Sequence, residues 1–121
     1  MGDDVPTLVG AWSATAYASR GSLTEPLPGT RLTAVFGDDG TLVGSTGCNT
    51  YRTGYETDGE AITIAPAAAT RKFCPEPEGV MGQEAAFHQI LAAVSRFALA
   101  GDSLELYDAD GTIAVALTRS G

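Results

Sequence analysis

The chain has 121 residues, 44% of them hydrophobic and 18% charged, and a formal net charge of −8. That length and balance describe one folded domain with a single core rather than a disordered segment. The acidity excludes binding along a nucleic-acid backbone and a polybasic membrane contact, both of which need clustered Lys and Arg.

Residues 1–7 are polar, carry Pro6 and are expected to form a loose N-terminus. The acidic Met1-Gly2-Asp3-Asp4 start lacks the basic leader and apolar run of a signal peptide, and no stretch approaches the ~20 apolar residues of a membrane span. Residues 8–18 read as a strand, with Trp12 as a core anchor. Residues 19–30 read as a loop, because Pro26 and Pro28 exclude a central strand and Gly29 turns the chain. From Arg31 to Phe36, Leu32, Ala34 and Phe36 alternate with Arg31, Thr33 and Val35, the pattern of a half-buried strand. Asp38-Asp39-Gly40 is hairpin-turn chemistry, and Thr41 to Ser45 is the returning strand.

Residues 44–55, GSTGCNTYRTGY, hold the densest signal in the chain. Glycine serves positive φ or close backbone approach, and Asn tolerates the left-handed region, so Gly47-Cys48-Asn49 reads as a tight corner between strands. Tyr51 to Thr57 follows as a strand, Asp58-Gly59 as its turn, and Ala61 to Ala65 as another strand that Pro66 ends. Residues 67–73 are ambiguous, Ala-rich at first and extended in character from Thr70. Pro75, Glu76, Pro77 and Glu78 are helix-start chemistry. Val80, Glu84, Phe87, Leu91 and Val94, widened by Met81, Ala86 and Ile90, then predict one amphipathic helix over about residues 79–94. Strands over 95–100, 104–107 and 112–117 complete the chain, joined at Gly101-Asp102 and Asp110-Gly111. The expected fold is α+β: a mostly antiparallel, strongly curled, barrel-like sheet with one amphipathic helix packed against it.

Catalytic chemistry finds little support. A nucleophile elbow at Ser45 needs glycine two residues earlier, where Val43 stands. His88 is the only histidine and neither cysteine sits in a C-x-x-C pair, which argues against a transition-metal site. Reading Asp108-Ala109-Asp110-Gly111 as a calcium loop puts Leu106 and Leu117 where end ligands belong, so it is a turn. No catalytic residue, metal or cofactor is assigned, and a carboxylate-dependent hydrolase is the least favoured alternative. Cys48 and Cys74 are either unpaired core thiols or two halves of a bridge worth roughly 3–4 kcal/mol. If they meet, Arg52, Arg71 and Lys72 share a surface and form a candidate contact for an anionic group or partner.

The run from Gly44 to Tyr51, then Gly54-Tyr55, Ile62-Thr63-Ile64, Thr70, Cys74-Pro75, Gln83-Glu84-x-x-Phe87, Leu91 and the closing Gly101 to Leu106, resembles the META domain, the family of the heat-shock protein HslJ. The opening Leu8 to Trp12 fits as well, apart from Ala11, where the family more often has Thr. The resemblance spans residues 8–118 as a single domain, with Gly47, Cys48, Asn49, Tyr51, Cys74 and Pro75 as its motif positions. It implies a small barrel-like α+β domain without catalytic residues, in a family of envelope proteins and lipoproteins tied to stress tolerance. The fold is also similar to secretin pilot proteins that hold lipid in a cavity. The resulting expectation is a non-enzymatic bacterial envelope domain, acting in stress tolerance by binding a protein partner or an apolar ligand. The alternative is a lipid or small-molecule carrier with an internal cavity. An extracytoplasmic monomer whose leader has been removed is expected, with a cytoplasmic location as the alternative. The resemblance also favours the Cys48–Cys74 bridge, with Cα atoms about 4.4–6.8 Å apart.

Overall fold

Asp/Gly turns between short alternating strands favour pairing between sequence neighbours, and that is how the sheet is built. The structure is a computed structural model that describes residues 7–19 and 21–120. Its elements are β1 (Gly10–Ser19), β2 (Ser22–Thr24), β3 (Thr33–Phe36), β4 (Thr41–Ser45), β5 (Thr50–Asp58), β6 (Ala61–Ile64), β7 (Ala68–Ala69), α1 (Val80–Ala93), β8 (Val94–Ala100), β9 (Ser103–Asp108) and β10 (Ile113–Arg119). The antiparallel order β10-β9-β8-β6-β5-β4-β3-β1 closes on itself through β1–β10 pairing, giving an eight-stranded barrel with one helix. β2 pairs with the end of β1, and β7 with the start of β5.

The alternating residues of these strands fill the barrel. Trp12, Phe36, Leu42, Leu104, Leu106 and Val115 are fully buried, and Phe87 of α1 joins the same cluster. The Trp12 indole donates to Leu8 O at 2.9 Å, and the Arg119 guanidinium lies 4.2 Å from the ring centroid. The same guanidinium donates to Thr7 O at 2.9 Å and Val9 O at 3.2 Å, tying both ends of the chain to this indole. One seam is thin: β6 meets β8 at the single pair Ala61↔Arg96, backed by Phe97 N–H donating to Glu60 O at 3.0 Å.

The structure corrects several boundaries. The stretch 19–30 contains β2, which adds to β1 where the Pro-bearing part of the segment has not yet begun. Within the ambiguous 67–73 stretch, Ala68 and Ala69 are a short strand that pairs with Arg52 and Tyr51. The helix starts at Val80 behind Gly79, whose φ of 92° only glycine adopts readily, and Val80 N–H donates to Pro77 O. Glu76 and Glu78 therefore precede the first turn, which contains no acid. The buried stripe is Val80, Gln83, Phe87 and Leu91, with Glu84 only half-buried, so Gln83 takes the buried place that the expected stripe gave to Glu84. Of the expected loose terminus, residues 1–6 lie outside the described residues, and Thr7 accepts the Arg119 bond.

Cys48 and Cys74 form a disulfide with Cα atoms 6.0 Å apart and a sequence separation of 26. Closing a loop of that size removes enough freedom from the unfolded chain for roughly 3–4 kcal/mol of stability. Urea unfolding with and without reductant should show that difference, and the Cys48→Ser/Cys74→Ser double variant should match the reduced protein. A loss below about 1 kcal/mol would mean the bridge merely decorates contacts that hold the loop already.

Candidate functional site

The corner after β4 is short because its donors and acceptors are used locally. Thr46 N–H donates to Asn49 O at 2.9 Å, and Asn49 N–H donates to the Thr46 hydroxyl at 3.2 Å. Gly47, with φ of 98°, supplies the turn, and a Cβ there would come within 2.9 Å of Thr30 and 3.1 Å of Gln83 Nε2. This geometry buries the Asn49 side chain, which is 1% exposed. Its Nδ2 donates to Lys72 O at 3.0 Å and Glu84 Oε1 at 2.9 Å, while its Oδ1 accepts from Thr70 Oγ1 and Lys72 N–H, both at 2.8 Å. Two donors and two acceptors are the full capacity of an amide, so the buried group is satisfied.

One side chain therefore joins three pieces of chain: the β4–β5 corner, the strap over residues 70–74, and α1. The disulfide fastens the far end of the strap to the same corner. From α1, Glu84 Oε1 also accepts from the Thr46 hydroxyl at 2.6 Å. Its neighbour Gln83 donates to Thr46 O and Thr30 Oγ1 at 3.2 Å and accepts from Leu27 N–H at 2.8 Å. The adjacent pair thus docks the helix on the corner and on the 27–30 loop at once.

Tyr51 lies just beyond the corner, packed between Phe87 at 6.1 Å and His88 at 5.9 Å, centroid to centroid. Its hydroxyl donates to Thr33 O at 2.7 Å, and burial pushes the phenol far above the usual tyrosine range. The phenol crosses over Gly44, where an added Cβ would sit 2.6 Å from the Tyr51 oxygen and collide with Thr33 O. Glycine at 44 is thus required by close approach rather than by a turn.

The strap and the exposed flank of α1 bound a groove of about 570 Å³, within the ~300–1,000 Å³ common for small-molecule sites. Its base is aliphatic, with buried Ile64 and Leu91 and half-buried Ala69. Met81, Glu84, His88 and Ala92 line the helical side, and Arg71, Lys72 and Phe73 the strap side. Phe73 is 76% exposed, unusual for an aromatic side chain outside a contact surface.

Of the residues singled out from sequence, Gly47, Cys48, Asn49, Tyr51 and Cys74 come together around the corner, and Pro75 follows the bridge on the exposed surface. The basic trio is divided. Arg71 and Lys72 line the groove, whereas Arg52 lines a separate depression with Val43 and Ala68. Beyond it lies Asp39, which the Thr41 hydroxyl and amide hold below the usual carboxylate range, with the Arg52 charge assisting. Gln83 and Glu84 were seen in sequence as motif letters and helix positions. Nothing in their spacing signals that Glu84 accepts from Asn49 or that Gln83 bonds Thr46, Thr30 and Leu27.

A family model for the META domain matches residues 6–120, so the chain belongs to the META domain family. No curated protein sequence matches it. Among solved structures, it is similar to a protein from Burkholderia xenovorans determined by NMR, with a TM-score of 0.74, 21% identity, and coverage of 92% of this chain and 81% of that one. It is also similar to a DUF4847 family protein from Bacteroides vulgatus, with a TM-score of 0.63, 15% identity and 93% of both chains covered. At such identities the likeness concerns the fold.

Proposed function

We propose that this META domain is a non-enzymatic envelope domain serving stress tolerance, and that it works by holding an apolar ligand in the groove between α1 and the 70–74 strap. The observation that carries the reading is the aliphatic base of that groove, Ile64, Ala69 and Leu91, under walls of mixed polarity. The filled barrel favours this external groove over a lumen as the ligand's seat. The strap is pinned by Asn49 and by the disulfide, so little ordering cost falls on binding. The disulfide also supports an oxidising compartment, and none of the described helices is long and apolar enough to cross a membrane. A second reading, docking of a protein partner, is favoured by one feature, the exposed Phe73 ring at the groove's edge.

A neutral, polarity-sensitive dye such as Nile red tests the groove. Its emission should rise saturably with the native protein. Ala92→Trp, at an exposed helix position beside the groove, should weaken the dye by about tenfold with melting unchanged. Native protein that leaves the dye dark ends this reading.

A further inference from the structure

Resting on that groove reading, we infer that the ligand is a single-chain amphiphile with an anionic head, its chain along α1 and its head against Arg71 and Lys72.

The groove is elongated. Its helical wall runs from Met81 to Ala92, which at ~1.5 Å per residue is about 16 Å of helix. A slot of that length over an aliphatic base suits an extended chain better than a compact ring system. The positive charge on the lining is concentrated at one place, the strap, where Arg71 and Lys72 are adjacent. The charged groups on the lining are Arg71, Lys72 and Glu84, with the His88 imidazole beside them. Glu84 is engaged inward, its Oε1 bonded to Asn49 Nδ2 at 2.9 Å and to the Thr46 hydroxyl at 2.6 Å. Those partners are neutral, so Glu84 keeps its charge, and the positive groups on the lining, Arg71 and Lys72, outnumber it two to one.

Those cations stand on prepared backbone. Asn49 grips both the N–H and the C=O of Lys72, and Thr70 bonds Asn49 Oδ1 and, through its N–H, Thr50 O at 3.1 Å. Arg71 is held between two fixed residues. A fixed backbone reduces the freedom lost when long cationic side chains close on a head group.

Charge distribution selects the kind of anion. With a net charge of −8, the protein as a whole repels extended anionic surfaces, including polyanions and anionic bilayers. Two cations beside an apolar slot suit one small anionic head carried into the groove by its own chain.

The test compares amphiphiles sharing a dodecyl tail below their micellar concentrations, read by displacement of Nile red. The heads are a carboxylate, a zwitterionic phosphocholine and a neutral maltoside. Dodecanoate should bind at least about tenfold more tightly than the maltoside, an advantage that added salt reduces. The Arg71→Gln/Lys72→Gln variant should abolish that advantage, bringing dodecanoate to within about twofold of the maltoside. Equal affinity for all three heads overturns the anionic assignment while leaving the groove reading intact. A carboxylate preference that survives in the double variant overturns the role of Arg71 and Lys72. Dye binding that no dodecyl compound displaces overturns the amphiphile, and absence of dye binding overturns the groove itself.

Discussion

Asn49→Ala lowers the unfolding free energy by about 3–5 kcal/mol, measured by urea unfolding of the oxidised protein. Truncation takes the partner from Lys72 N–H, Lys72 O, Thr70 Oγ1 and Glu84 simultaneously. Each buried polar group left unmatched costs about 1–3 kcal/mol, more when charged, though losses within one network do not add. Asn49→Asp keeps the shape and is expected to be worse at neutral pH. An oxygen then replaces Nδ2 in front of the Glu84 carboxylate and the Lys72 carbonyl. Two adjacent carboxylates hold a proton more tightly when folded than when unfolded, so the folded pKa of the pair is raised. That stabilisation is present below the unfolded carboxylate value and is lost as pH rises through the folded one. The aspartate variant should therefore regain stability on mild acidification, a response absent from the alanine variant. A cost below about 1 kcal/mol for Asn49→Ala would show that the disulfide alone fixes the strap.

Phe87→Ala is the second large effect, a loss of about 3–5 kcal/mol and a fall in melting temperature on the order of 10–20 °C. Phe87 is fully buried, joins the helix to the barrel's core, and lies against Tyr51. Removing the ring deletes apolar burial and leaves a cavity between rigid neighbours. Phe87→Leu should recover much of the loss by refilling that volume. An unchanged melting curve for the alanine variant would mean that α1 does not dock through this residue.

Local rules carried much of the architecture. Alternation in Leu32, Ala34 and Phe36 and in Ile62 and Ile64 marked buried faces that the barrel confirms. The Asp/Gly turns fell between paired strands because their backbone requirements are met within a few residues. The misses share a cause. β2 and β7 are short, and their pairing is set by partners at Tyr17 to Ser19 and Tyr51 to Arg52 rather than by an apolar pattern of their own. Gln83 is buried because the 27–30 loop comes to meet it, a contact across 56 residues that helix periodicity does not encode. Glu84 at an apolar spacing was legible as a helix position, but its inward carboxylate depends on Asn49, across 35 residues. The groove was invisible for the same reason: it exists only once the strap is fastened.

The closing seam of the barrel has a consequence in time. Thr15 bonds Ala116 across 101 residues, so β1 is made about a hundred residues before the partner that closes the barrel. At roughly 5–20 residues per second, that strand waits on the order of 5–20 s with one edge open. Until β10 emerges, the Trp12 indole also lacks its Arg119 cover. Closure of the barrel thus waits on β10, and for that interval β1 carries an unpaired edge of backbone donors and acceptors.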